Sequence, residues 1–543
     1  MRIDCAKDAP EAVTADVAIV GSGAAGQTAA RRLLARGCSV VLLESGGADY
    51  DAVSADLNRG EVTGQDYHPL EQCRLRFFGG TTAIWGGRCA ELDDIDFQRR
   101  SWVDNSGWPI GPGDIASYLA EARSLLGVDA ADPSLSSDPL LESLGGTELR
   151  VRWWKYDRGF DRFTIDRAAD LEHHPRCTLM IHATVREVML ANDANSVDRL
   201  DVRTPDGRQI DIRARHFILA AGGIENPRIL LNSTSVVGQG VGNGHDLVGR
   251  FFMEHPHARG GRIVGKADWR WLAAFARRRV GGIEFSPAMT PSDALQRREG
   301  LLNSSITVAA RRPPTDRYAL AKRAYLHIKH NTSPDRRGRR LWKAARRLAR
   351  AYTRRTGPLH SWLARRVSGL DLALVIRAEQ APNRDSRITL TGEKDAIGMN
   401  RVALNWQLSA ADTDSVAGLV AALARESQRL GLGTVEPAAW LSAPSRRWVT
   451  DELISAHPIG GFHHMGTTRM AESARGGVTD GWGRVHGLPN LFIAGSSLFP
   501  TGGWANPTLT ILALSLRTAD RVADEIRRAE APFVSRMDVV GTG

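Results

Sequence analysis

The chain has 543 residues, 42% hydrophobic and 24% charged, enough to bury a core without covalent staples. Its five cysteines (Cys5, Cys38, Cys73, Cys89, Cys177) are scattered and contain no CxxC pair, which argues against a disulfide framework and a structural zinc site. The net charge is +10, yet residues 311–366 hold 18 Lys and Arg against Asp316 and Asp335, so this one segment carries +16 and the remainder −6. The start "MRIDCAKDAPEAV" lacks a signal-peptide pattern and no window is long and apolar enough to span a membrane, so a cytoplasmic location is expected.

In chain order, "DVAIV" is a short apolar strand that enters "GSGAAG" (Gly21–Gly26). Helical periodicity follows to Gly37, and "SVVLLE" is a second buried strand ending at Glu44. In this pattern Gly21 makes the tight turn, Gly23 lets backbone approach a pyrophosphate, and Gly26 lets helix pack on strand. Glu44 is placed to accept hydrogen bonds from ribose hydroxyls, and Ser22, Ala25 and Ser45 belong to the same expected dinucleotide site. Residues 177–190 read as two strands around Thr184. A hairpin turning at Pro205-Asp206-Gly207 leads into a buried strand ending near Ala221 and Gly222. Near the C-terminus "NLFIAGSS" is another buried strand, and a helix starts with Asn506 as N-cap and Pro507 in its first turn.

The expected fold class is therefore α/β. A Rossmann-like domain is assembled from residues 1–95, 176–260 and 451–543. Residues 96–175 and 261–450 form a second domain, α+β with a mixed or antiparallel sheet. A basic amphipathic helical insert lies at about 311–366. Within it, Arg339–Arg355 puts Leu341, Ala345, Leu348 and Tyr352 on one stripe and Arg340, Lys343, Arg346, Arg347, Arg350 and Arg354 opposite. Two readings stay open: a helix lying on an anionic membrane surface, or a solvated helix packed onto the body by its apolar stripe. No nucleic acid is expected as a partner.

"GFHHMGTTRM" places His463 beside His464. Neighbouring residues in extended chain point to opposite sides, so only one should face a site. A metal site would need His457, His463, His464 and His486 to converge, and their spacing matches no zinc motif, so no metal is expected.

Taken together, "VAIVGSGAAG…VVLLESGG", "FFGGTTAIWGG", "FILAAGGIENPRILLNS", "HDLVGRFFMEHP", "EQAPNRDSRITL" and "HHMGTTRM…RVHGLPNLFIAGSSLFPT…NPTLT" are in family order. Through them the chain resembles the glucose–methanol–choline (GMC) flavoprotein oxidoreductases, bacterial members and pyranose oxidase-type members among them. The resemblance implies FAD as cofactor. A loop with Gly79, Gly80, Thr81, Trp85 and Gly86 would pass over the flavin. Val185 would lie at the adenine, and Ala221, Gly222, Gly495, Ser496, Pro507 and Thr508 would be further contacts. Counting back three positions from Gly466 makes His463 the catalytic histidine, with Asn506 as its partner. Members that bond the flavin covalently have a histidine where this chain has Ile84, so FAD is expected to be non-covalent. The implied activity is oxidation of a CH–OH group by hydride transfer to flavin, on a sugar, polyol or glycosylated or lipid-linked compound. The acceptor would be oxygen or a quinone, the latter with a peripheral position at the inner membrane face. A lyase of the same fold with structural FAD, and a dehydrogenase of a non-sugar alcohol using a membrane quinone, stay open as alternatives; intact His463 and Asn506 argue against a membrane-binding protein with a vestigial flavin.

Overall fold

The computed structural model describes all residues except 147, 158, 160, 315–333 and 531–543. The first part of the basic insert thus lies outside the described residues.

Three sheets organise the molecule. The first has eight strands. Its parallel part runs Arg2–Asp4, Cys177–Ile181, Val40–Leu43, Ala12–Val20 and Gln209–Leu219. Val197–Arg203 and Thr184–Leu190 extend it antiparallel, and Leu491–Ile493 adds in parallel to the end of Gln209–Leu219. Strands Val40–Leu43 and Leu491–Ile493 are buried throughout and read as unbroken apolar runs, as a sheet covered on both faces requires. The expected hairpin and the buried strand after it are one element. Gln209–Leu219 pairs antiparallel with Val197–Arg203 at its start and in parallel with Leu491–Ile493 at its end, so no break separates them. The break expected around Thr184 falls at His182, whose φ of +54° turns the chain. Helices Ala24–Ala35 and Thr508–Glu530 pack together on one face of this sheet.

The second sheet is antiparallel, ordered Thr434–Pro437, His257–Val264, Asp371–Arg377, Ser305–Arg311, Ile283–Pro291, Leu149–Tyr156 and Arg88–Cys89, with Arg278–Val280 paired to Ile283–Pro291. Alternation sorts its two faces. Leu149, Val151, Trp153, Leu372, Leu374 and Ile376 enter a core shared with helix Ala410–Arg429. Trp154 and Tyr156 face the other way and pack with Trp504 and Ala505, which immediately precede Asn506. A third sheet joins Gly60–Val62, Asn400–Asn405 and Arg387–Lys394.

The basic insert forms helix Arg336–Thr356 and a second helix, Leu359–Ser368. Here the expectation of packing through the apolar stripe is overturned. The side facing the body is the basic one: Arg336 pairs with Asp166 at 2.6 Å, Arg339 with Asp49, and Lys343 with Asp161 at 3.3 Å. The Arg339 guanidinium also sits 4.9 Å from the Phe77 ring centroid. Leu341 and Leu348 are each 73% exposed. The cause is local: the body offers three carboxylates under this helix, and the cationic side of the helix meets them.

Candidate active site

The loop 461–463 is stapled from below by one carboxylate. Glu254 Oε1 accepts the backbone N–H groups of His255 (2.8 Å), Gly461 (3.0 Å) and His463 (2.9 Å), and Oε2 accepts the Tyr67 hydroxyl at 2.6 Å. Phe462, between Gly461 and His463, has a φ of +60°, a left-handed kink that aims the N–H groups on either side of it at one acceptor. Burial raises the Glu254 pKa, and these donors oppose that rise.

This anchoring fixes the two histidines on opposite sides. His463 Nδ1 lies 2.7 Å from Nδ1 of His255, whose Nε2 lies 2.8 Å from the Gly503 carbonyl oxygen. A carbonyl can only accept, so His255 Nε2 carries the proton and its Nδ1, in the neutral ring, accepts. His463 Nδ1 therefore donates, and His463 Nε2 keeps its lone pair. Asn506 Nδ2 lies 3.1 Å from that nitrogen. Burial, then the neighbouring His255, lowers the His463 pKa well below the usual imidazole value, so the neutral ring is favoured. His464 turns the other way. Tyr67 gives its proton to Glu254 and so accepts from His464 Nε2 at 3.0 Å. Burial, then Arg74, pushes the His464 pKa down to about 3.

Asn506 is not the helix cap expected from its place before Pro507. The helix begins at Thr508, and its first bond runs from Ile511 N–H to the Pro507 carbonyl at 2.8 Å. The Asn506 amide is committed to His463 instead. No acidic residue sits in the first turn of Thr508–Glu530, so the positive end of that helix is uncompensated beside the loop.

The remaining expected residues build two linked loops. A Cβ on Gly26 would lie 1.9 Å from the Gly21 carbonyl oxygen, so only glycine lets this helix close on the turn. A Cβ on Gly23 would meet nothing within 4 Å, and no side chain caps the helix starting at Ala24. That is an open cradle of N–H groups at a helix N-terminus, the geometry an anionic pyrophosphate needs. Glu44 Oε2 accepts the Ser22 hydroxyl at 2.6 Å and Oε1 accepts Gly46 N–H at 2.9 Å, so this acid also braces the turn. Ser22 Oγ in turn accepts the Gly79 N–H at 3.3 Å, tying the turn to the loop of Gly80, Thr81, Trp85 and Gly86. A Cβ on Gly79 would lie 2.3 Å from the Phe163 carbonyl oxygen. Ser45 Oγ is 2.7 Å from Thr184 Oγ1, which brings the buried Val185 to the end of strand Val40–Leu43. Ala25 is buried in the helix–sheet core. Ala221 N–H donates to Asn226 Oδ1 at 2.8 Å, next to Gly222 with a φ of +90°. Gly495 has a φ of +117°, and the Ser496 hydroxyl donates to the His464 carbonyl at 2.7 Å. These residues fit FAD.

Sequence reasoning did not single out Tyr67, Glu254 or His255. The quoted "MEHP" carried an acid and a histidine side by side ahead of a proline, and that pairing was the available signal.

Comparison with known proteins agrees with this geometry. Residues 16–233 match the family model described as FAD dependent oxidoreductase, and residues 382–515 match GMC oxidoreductase. Paromamine 6'-oxidase of Streptomyces fradiae is 24% identical over 94% of this chain and 92% of its own length. The fructose dehydrogenase large subunit of Gluconobacter japonicus is 22% identical over 95% of this chain and 99% of its own. The crystal structure of pyridoxine 4-oxidase from Mesorbium loti superposes with a TM-score of 0.55 at 17% identity, covering 93% of this chain and 98% of that one. With an FAD-type Rossmann half, a second sheet facing it and both models matched in order, the chain belongs to the glucose–methanol–choline family of FAD-dependent oxidoreductases, enzymes that act on CH–OH donors.

Proposed function

We propose that the enzyme oxidises an alcohol whose hydroxyl oxygen comes within hydrogen-bond reach of both His463 Nε2 and Asn506 Nδ2. The observation that carries this reading is the chain of hydrogen bonds Gly503–His255–His463–Asn506, which makes His463 Nε2 an acceptor, held by an Asn506 N–H that a substrate hydroxyl would displace, while the amide keeps a second N–H to donate. Asn506 donates to the alcohol oxygen and orients it; His463 Nε2 takes the hydroxyl proton. Bound FAD supplies the acceptor for the hydride that leaves the same carbon. The positive end of helix Thr508–Glu530 favours negative charge gathering there. We hold the cofactor to be non-covalent: position 84 is isoleucine, and the nearby Cys89 is fully buried with its thiol pKa pushed up by burial. The relative named for fructose supports a sugar or polyol as substrate. The test is a panel of alcohols and sugars mixed with the holoenzyme under argon, followed by oxygen or a quinone. Bleaching of the flavin band by a panel member supports the reading. Turnover of a cyanohydrin with no bleaching would replace it with a lyase.

We further propose that helices Arg336–Thr356 and Leu359–Ser368 rest on an anionic bilayer. Leu341, Leu348 and Val367 (73%, 73% and 84% exposed) turn outward, while Arg337, Arg340 and Arg347 are also exposed and complement anionic headgroups. Among the described residues no helix is long and apolar enough to cross a membrane. Flotation should carry the full-length protein up with phosphatidylglycerol vesicles and not with phosphatidylcholine. Equal flotation of the Leu341→Asp/Leu348→Asp variant would contradict the contact.

A further inference from the structure

The face of the second sheet that meets Trp504 and Ala505 carries two arginines that proton and hydride removal do not require. Arg88 and Arg377 flank the same indole: their guanidinium carbons lie 4.6 Å and 5.2 Å from the Trp154 ring centroid. Arg377 is the cross-strand partner of His257, two residues from His255. Arg88 follows Gly86 and Gly87 and is the cross-strand partner of Tyr156. Both lie close to the histidine pair: the charge of Arg88 is felt at His463 and that of Arg377 at His255.

Neither has a carboxylate partner among the described residues. Arg88 Nε donates to the Tyr156 hydroxyl at 3.3 Å, and Arg377 Nη1 donates to Thr307 Oγ1 at 3.3 Å. Arg377 Nε is buried with no acceptor, as are the indole N–H groups of Trp154 and Trp504 beside it. Glu284, the cross-strand partner of Tyr156, is taken by Arg277 at 2.7 Å. A guanidinium cannot shed its proton to escape burial. Ring-face attraction is smaller than the cost of taking an ion out of water, and two like charges on one ring add repulsion. Burial and then Arg88 push the Arg377 pKa well down, while Arg88 and Arg277 pull the Tyr156 hydroxyl down to about 8. Among the described residues no carboxylate balances these two charges.

We propose that the alcohol oxidised here carries an anionic group, a carboxylate or a phosphate, held between Arg88 and Arg377 while its hydroxyl carbon faces His463 and Asn506. This rests on the alcohol-oxidation reading and names its substrate class. Planar guanidinium donors suit both anions, and the apolar face of Trp154 covers the carbon skeleton between them.

Two measurements test it on the flavin-loaded enzyme. In the first, citrate and inorganic phosphate are titrated separately by calorimetry at low salt. Wild type should bind at least one, Arg377→Gln should bind it at least about tenfold more weakly, and Arg88→Gln should follow. In the second, glucose, glucuronate and glucose 6-phosphate are compared for flavin bleaching under argon. Whichever charged member bleaches should exceed glucose at least about tenfold in rate over half-saturation, and Arg377→Gln should erase that preference; carboxylate and phosphate are told apart by which member wins. Anion binding without bleaching by any alcohol leaves the charged subsite standing and defeats the oxidation reading. No binding of either anion by wild type, equal binding by Arg377→Gln, or glucose matching its charged counterparts overturns the proposal. Loss of flavin from Arg377→Gln at unchanged anion binding would also overturn it, by assigning the arginine to the cofactor.

Discussion

Replacing His255 by leucine removes the acceptor for His463 Nδ1–H and leaves the size of the side chain nearly unchanged. The donor is largely enclosed, and among the described residues its acceptor is the ring nitrogen of His255, at 2.7 Å. A buried donor without a partner costs about 1–3 kcal/mol. His463 can relieve that cost by moving its proton to Nε2, which faces Asn506, and in that tautomer the lone pair needed for proton abstraction is gone. The penalty therefore falls on the reactive form. At about 1.4 kcal/mol per tenfold, flavin bleaching by a panel alcohol should slow about 5- to 150-fold in His255→Leu. The assay is stopped-flow absorbance under argon, with flavin content and melting temperature as controls. His255→Gln, whose amide oxygen can still accept, should lose less. Bleaching at the wild-type rate in a flavin-loaded His255→Leu would refute the tautomer argument.

Three further outcomes follow from the same contacts. Because burial and His255 lower the His463 pKa, the base is unprotonated well into acid; the bleaching rate should stay flat from pH 8 to below 6.5, and a midpoint at or above 6.5 would contradict this. His255 and His257 are likewise lowered by burial, so the unfolded chain takes up protons first as pH falls below about 6.5. Their stabilisation is complete above that pH and is lost below it, at about 1.4 kcal/mol per pH unit for each histidine; equal urea midpoints at pH 7.5 and 5.5 would count against it. Gly26→Ala puts a methyl 1.9 Å from the Gly21 carbonyl oxygen, so the variant should purify with a much reduced flavin-to-protein absorbance ratio, and a normal ratio would remove Gly26 from the cofactor site.

The strand–glycine turn–helix–strand start was legible because its periodicity and its glycines are local. That His463 and Asn506 share one place was legible by register to Gly466 and Pro507, although 43 residues part them. The direction in which the basic helix docks was not legible. Helical periodicity separates its two faces, yet which one meets the body depends on Asp49, Asp161 and Asp166, all distant in sequence. Nor was His255: its role comes from a ring placed by the third-dimensional meeting of residues 255, 463 and 503. The same holds for Arg88 and Arg377, whose shared indole belongs to a third strand. Asn506 was misplaced as a cap because the Asn-Pro pair suits both positions, and only the tertiary bond to His463 decides between them.

The central claim is that His463 removes the hydroxyl proton from an alcohol whose carbon gives up its hydride. The most direct test is stopped-flow bleaching of the flavin band under argon, comparing one panel alcohol with the same alcohol deuterated at the carbinol carbon, in wild type and His463→Ala. The account predicts severalfold slower bleaching with deuterium in wild type and near-complete loss of bleaching in a flavin-loaded His463→Ala. Bleaching by His463→Ala at the wild-type rate, or an alcohol consumed while the flavin band stays intact, would contradict it.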